Sequence, residues 1–104
     1  MVRHIVAWSF KEGFTDSEKQ AHLQKIKSSL EVLPAVVGGV VELNVQIDLL
    51  ETSNLSAMLN SLFKSEEALK AYQIHPEHKK VSEFVRSVME DRVCLDYEEE
   101  RVGK

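Results

Sequence analysis

The stretch VRHIVAWSF (2–10) constrains the fold more than any other part of the chain. It is rich in β-branched and aromatic residues and ends at Lys11-Glu12-Gly13, the pattern of a β-strand running into a turn. Both of its alternation sets are apolar, with Val2, Val6, Trp8 and Phe10 on one and Ile5 and Ala7 on the other. A strand of this kind must be covered on both faces. His4 falls on the first set, so a histidine is carried into one of the covered layers.

The next segment, TDSEKQAHLQKIKSSLEVLP (15–34), changes period. Thr15 followed by Glu18 forms a capping box, in which each side chain satisfies a backbone N–H of the other. Leu23, Ile26, Leu30 and Leu33 recur at helical spacing, and Pro34 ends the helix. AVVGGVVELNVQIDLL (35–50) returns to period two. Val41, Leu43, Val45 and Ile47 are expected on one side, and Glu42, Asn44, Gln46 and Asp48 on the other. The Gly38-Gly39 pair suits a bulge or bend. ETSN (51–54) reads as a loop and SAMLNSLF (56–63) as a third strand.

Ser65 caps a short helix over 66–73, whose early glutamates suit the positive helix end. Pro76 stops that helix, because the residue before a proline is driven out of the helical region, and it then starts another over 76–91. The apolar stripe of this last helix is Val81, Phe84, Val85, Val88 and Met89. RVCLDY (92–97) closes the chain as a strand, and the acidic run DYEEE reads as a solvated tail. The order β-α-β-β-α-β defines an α+β, ferredoxin-like unit: an antiparallel four-stranded sheet with its helices on one face. The opposite face is apolar in the first strand and polar in the second. A second copy packed against it, with a partly polar cavity between, accounts for both.

Four pieces in order, RHIVAWSFK, LPAVVGG, FKSEEALKAYQIHPEHKKV and CLDYE, resemble the stress-responsive dimeric α/β-barrel (Dabb) family. The resemblance runs from Val2 to about Glu98, which assigns 1–98 to the domain and 99–104 to a tail. It implies two ferredoxin-like subunits whose sheets face each other, and a cavity between sheet and helices in each. One plant member of the family closes a linear polyketide thioester by aldol condensation. Its catalytic tyrosine and histidine match Tyr72 and His78, and a strand-1 histidine near its pocket matches His4. The second and third strands, VVELNVQIDL and SAMLNSLF, depart from that cyclase, which leaves the substrate open.

Each singled-out residue has two roles open to it. His78 suits a general base at neutral pH, or locks a helix start to the sheet. Tyr72 suits hydrogen bonding to a carbonyl oxygen that gains charge, or is a buried ring with its hydroxyl satisfied. His75, before Pro76, is a substrate-binding candidate or a fixed turn residue. Trp8 lines a pocket or fills the core. Cys94 is expected as a small buried hydrophobe. His75 and His78 lie on opposite sides of the Pro76 break, and no Cys or carboxylate pattern completes a tetrahedral site with them, His4 or Glu77, so no metal is expected. No nucleotide loop, haem-attachment motif or flavin fingerprint is present, so no cofactor is expected.

The net charge of −4 argues against nucleic acid, whose phosphates need a basic surface. No apolar run is long enough to span a membrane and no signal peptide is visible. A single cysteine excludes an intrachain disulfide, making the cytoplasm the expected compartment. The sequence thus points to a homodimer carrying out cofactor-free proton transfer, as a cyclase, isomerase or lyase, on a small carbonyl or polyketide-like compound. The alternative is a non-catalytic homodimer that binds a small ligand or acts in stress protection.

Overall fold

The computed structural model describes residues 1–100; Arg101–Lys104, most of the expected tail, lie outside the described residues. Strands β1 (Val2–Phe10), β2 (Val40–Gln46), β3 (Ala57–Phe63) and β4 (Met89–Glu98) form one antiparallel sheet in the order β2-β3-β1-β4. Helices α1 (Asp16–Glu31), α2 (Glu66–Ile74) and α3 (Pro76–Val88) complete the chain. The architecture is the expected ferredoxin-like α+β unit. No helix among the described residues is long and apolar enough to cross a membrane.

Local chemistry explains each element. The Thr15–Glu18 capping box is present, with Glu18 N–H donating to Thr15 Oγ1 at 3.1 Å and Thr15 N–H to Glu18 Oε1 at 2.8 Å. Leu23, Ile26 and Leu30 of α1 are buried as the stripe requires. Pro34 sits in a single tight turn, Leu33–Ala35, that follows the helix. Ser65 caps α2 by accepting from Ala68 N–H at 3.1 Å. Pro76 opens α3, and its neighbour His75 is extended at φ −66°, ψ 135°.

The helix-side layer is the core. Val2, His4, Val6 and Trp8 of β1 are all buried, as are Ala57, Leu59, Ser61 and Phe63 of β3. Edge strand β2 is sealed by α1. Lys27 Nζ donates to Val45 C=O at 2.7 Å, and Glu31 Oε2 accepts from Val45 N–H at 2.9 Å, so part of the open edge is paired with side chains. Burial alone would raise the Glu31 carboxyl, but these hydrogen bonds and the Lys27 charge outweigh it and hold Glu31 low.

Most element ends shift by one to three residues from the sequence expectation, α1 among them, which ends at Glu31 before Pro34 is reached, and three departures are larger. The period-two segment 35–50 is a strand only over Val40–Gln46, and a bulge lies between Val40 and Glu42. Val41 is the extra residue and is exposed, while Val40 pairs with Phe63 and packs on the core in its place. The last helix ends at Val88 rather than 91. Met89 turns extended to pair with Phe10, and Asp91 takes a left-handed φ of 56° where the β1–β4 register shifts. An aspartate tolerates that conformation better than most residues. The acidic run is not a free tail: β4 continues through Glu98, and the Glu99 carboxylate clamps Arg3 with contacts of 2.8 and 2.7 Å.

The opposite face of the sheet carries no helix. The register places Leu95 beside Ile5, Val93 beside Ala7 and Tyr97 beside Arg3. Val93, Leu95 and Tyr97 are 46%, 57% and 50% exposed, an apolar stripe open to solvent. The same face is polar along β2, at Glu42, Asn44 and Gln46, and Arg3 bonds Asn60 and Glu42 as well as Glu99.

Gly39 sits at φ +84°, and a Cβ there would lie 2.7 Å from Ala68 Cβ. Both backbone and space therefore require glycine where β2 passes α2. Gly39→Ala is expected to destabilise the fold by about 2–3 kcal/mol, the sum of left-handed strain and a forced core shift. Gly38→Ala, with nothing near its Cβ, is the control in the same urea titration.

Candidate functional site

The helix break at Pro76 builds the site. α2 ends on Tyr72 and Ile74, and α3 begins within two residues, so Tyr72 and His78 face each other across the break with ring centroids 4.4 Å apart. Tyr72 is fully buried and also packs against Phe63, at 4.9 Å. Its hydroxyl is the one fully buried side-chain N or O atom among the described residues without a hydrogen-bond partner. Burial pushes this phenol well above its ordinary range, so Tyr72 stays protonated at neutral pH.

His78 lies in the first turn of α3 and is half-buried. Its Nδ1 bonds Gln73 C=O at 3.2 Å. The ring can only donate to a carbonyl, which fixes the proton on Nδ1 and leaves Nε2 with a lone pair. Burial lowers the His78 pKa. The Gln73 bond works against that, while the charges of His4, Arg92 and Arg86 add to it. The result is a neutral imidazole with one basic nitrogen.

His4 enters from β1, also buried, and its Nδ1 contacts Asp96 Oδ1 across the β1–β4 register. His4 and Trp8 of β1 and His78, Ser82, Arg86 and Arg92 border a cavity of about 100 Å³ between sheet and α3. His78, Ser82 and Arg86 also border a neighbouring depression of about 370 Å³. The inner space suits a ligand group of a few heavy atoms, below the ~300 Å³ of a drug-sized pocket.

The expected site residues therefore divide. His4, Trp8 and His78 converge on the cavity. Tyr72 stacks behind His78 and is not among the cavity's lining residues. His75 stands apart as the N-cap of α3: its Nδ1 accepts from Glu77 N–H at 3.1 Å and its own N–H donates to Tyr72 C=O at 3.2 Å. The sequence reading missed Arg86, Arg92 and Asp96. Asp96 was legible in principle, because Cys94 and Asp96 alternate onto one strand face. Cys94 is not the deeply buried apolar side chain expected; it is half-buried, with Sγ 3.6 Å from Asp96 Oδ2 and 3.9 Å from His4 Nδ1.

A four-stranded antiparallel sheet carrying its helices on one face, with a histidine-lined cavity between, defines a ferredoxin-like α+β subunit. Residues 2–99 match the stress responsive A/B barrel domain, and the chain belongs to that family. It is 28% identical over 101 residues to a stress-response A/B barrel domain-containing protein, DABB1, of Arabidopsis thaliana, covering 93% of this chain and 46% of that protein. The chain thus spans about half the length of that curated relative. Among solved structures, a dimeric protein of unknown function and ferredoxin-like fold from Bacteroides fragilis superposes with a TM-score of 0.87 at 28% identity, covering 93% of this chain and 94% of that one. A hydroxynitrile lyase from Passiflora edulis shares the fold at a TM-score of 0.77 and 18% identity, over 99% and 96% of the two chains.

The lowered His78 pKa has a consequence for stability. The unfolded chain takes up a proton on His78 near its ordinary value of 6.5, and the folded chain does so only at lower pH. The stability this group contributes is complete above 6.5 and is lost as pH falls from there toward the folded pKa. The wild-type denaturation midpoint is expected to fall over that window, and His78→Gln is expected to remove that part of the slope.

Proposed function

We propose that the protein is a homodimeric, cofactor-free proton-transfer enzyme acting on a small carbonyl compound, with His78 as the base and Tyr72 as the neutral donor. The observation that carries this reading is the pairing of a neutral imidazole, fixed at Nδ1 by Gln73, with a buried phenol that has no partner. His78 Nε2 would take a proton α to the carbonyl, and a donor that stays protonated would steady the oxygen as it gains charge. For Tyr72 to serve in this way, its hydroxyl must be uncovered by a local shift of the α2–α3 break. His4 and Trp8 would hold the substrate, and burial, aided by the nearby charges of His4, Arg92 and Arg86, keeps His78 neutral. Aldol-type cyclisation, keto–enol isomerisation and elimination β to a carbonyl all begin with this step. His75 serves the fold of the break in this reading, and the helix cap it forms supports that assignment.

The dimer rests on the open sheet face. Val93, Leu95 and Tyr97, flanked by Ile5 and Ala7, form a stripe that a second sheet would cover. The similar Bacteroides fragilis protein is dimeric.

A non-catalytic homodimer that binds a small ligand is the competing reading, and the small inner cavity favours it. Hydrogen–deuterium exchange at the α-carbon of small ketones, 3-oxo thioesters and aromatic ketones, followed by NMR in D2O, separates the two. Wild-type protein is expected to accelerate exchange for one class, with His78→Gln losing about 10²–10⁴-fold. Tyr72→Phe is expected to lose about 10²-fold or more while keeping or gaining about 1 kcal/mol of stability, since no hydrogen bond is lost. Exchange no faster than buffer across the panel would sink the enzymatic reading.

For assembly, light scattering at micromolar concentration is expected to give a dimer, and Leu95→Arg a folded monomer. A monomeric wild type would remove the barrel.

A further inference from the structure

Cys94 and Asp96 have no part in the base-and-donor chemistry and His4 only helps to hold the substrate, yet the sheet draws the polar atoms of all three together. We propose that these three side chains form a binding site for a zinc-class divalent transition metal, ligated by His4 Nδ1, Cys94 Sγ and one Asp96 oxygen. It is the group of potential ligands that stands out among the described residues, with all three donor atoms within 4.8 Å of one another.

The backbone fixes this arrangement. His4 pairs with Asp96 and Val6 with Cys94, so all three side chains leave the same face of two hydrogen-bonded strands. Tetrahedral zinc, with bonds of about 2.3 Å to sulfur and about 2.0–2.1 Å to nitrogen and oxygen, sets ligand–ligand separations of about 3.6 Å for sulfur with nitrogen or oxygen. Cys94 Sγ lies 3.9 Å from His4 Nδ1 and 3.6 and 3.7 Å from the two Asp96 oxygens. Only the His4–Asp96 contact has to open, from hydrogen-bonding distance to about 3.3 Å. Rotation of Asp96 accomplishes this, since its side chain is 40% exposed.

The donor set also selects the ion. Thiolate, imidazole and carboxylate together suit zinc or cobalt, whereas calcium and magnesium prefer oxygen alone. One thiolate and one carboxylate balance the ion's two positive charges. Asp96 borders a groove of about 340 Å³ between β4 and α2, which offers a path for entry and room for a fourth, non-protein ligand. Three protein ligands with an open fourth position is the pattern of reactive rather than purely structural zinc.

Binding has a defined proton balance. The Cys94 proton leaves to solvent, and the bound His4 is a neutral ring with its proton on Nε2 and its Nδ1 lone pair on the metal. Burial and the adjacent Asp96 push the Cys94 thiol up, so the metal itself must supply the drive for deprotonation. This site does not depend on the proposed acid–base activity, and its test reads no turnover.

The reduced, chelator-treated protein is titrated anaerobically with Co²⁺. The expected result is saturation at one ion per chain, with a near-ultraviolet thiolate-to-cobalt charge-transfer band and the intense visible bands of a four-coordinate centre. Cys94→Ser is expected to abolish the charge-transfer band, and Asp96→Asn to weaken binding by about tenfold or more. Zn²⁺ is expected to raise the melting temperature of wild type and not of Cys94→Ser, with metal-free melting curves verifying that both are folded. Should either variant fail to fold, cadmium NMR of the wild type reads the same point, a shift indicating one sulfur ligand being the expected result. No charge-transfer band in wild type, an unchanged band in Cys94→Ser, or a cadmium shift indicating no sulfur each overturns the proposal.

Discussion

Strand β1 has to be covered on both faces, and the rest of the structure answers that requirement. Its position between β3 and β4 gives it a neighbour on each edge, and the helices supply a layer for Val2, His4, Val6 and Trp8. At ~25 cal/mol per Å² of apolar surface, that layer is the main source of stability for a chain of this size. The helices cannot cover Ile5 and Ala7, which face the other way beside Leu95 and Val93. The apolar stripe left there is the price of a strand written for two covers. Placing β1 at the centre also puts His4 inside the layer, where a polar ring must be paired. Asp96, directly opposite on β4, meets that need.

The second organising constraint is Pro76. Without it α2 and α3 would read as one helix, and Tyr72 and His78, six positions apart, would not lie one above the other on a helical face. The break folds the chain back over itself, with His75 bonded on both sides of the turn. That brings the two rings together and directs His78 toward the sheet. The positive charges of Arg86 and Arg92, one on α3 and one on β4, then act on the same imidazole. A steric property of one residue thus precedes all of the site's electrostatics.

Much of this was legible in the sequence where a local rule had one outcome. The Thr15–Glu18 box, the Leu23–Ile26–Leu30 stripe and the break at Pro76 are decided within a few residues, and each is present, whereas α1 stops at Glu31, ahead of Pro34. The element order then fixed the ferredoxin-like topology. Alternation failed at Val41 because a bulge inserts one residue, and nothing in a run of valines marks which one is extra. The end of α3 was unreadable for a related reason. Met89 continues the helical stripe, but pairing with Phe10 outweighs it. Tyr72, His75 and His78 share one short stretch, so they could be singled out as a group. Arg92, Cys94 and Asp96 join His4 and His78 only through strand register and helix packing. Residues some 90 positions apart become neighbours that no spacing rule reveals.

The treatment of buried polar groups within one core bears on what Tyr72 is for. His4 is paired with Asp96, and Ser61 donates to His4 C=O at 2.7 Å. Even the edge-strand groups of Val45 are met by Lys27 and Glu31. Against that background the Tyr72 hydroxyl stands without a partner among the described residues. An unmet buried hydroxyl costs about 1–3 kcal/mol, a sizeable share of the ~5–15 kcal/mol that holds a typical domain folded. Phenylalanine would fill the same space against Phe63 and His78 without that cost. Packing therefore accounts for the ring and gives no reason for the oxygen. That unexplained oxygen, beside the His78 ring, is what supports the donor role proposed for Tyr72.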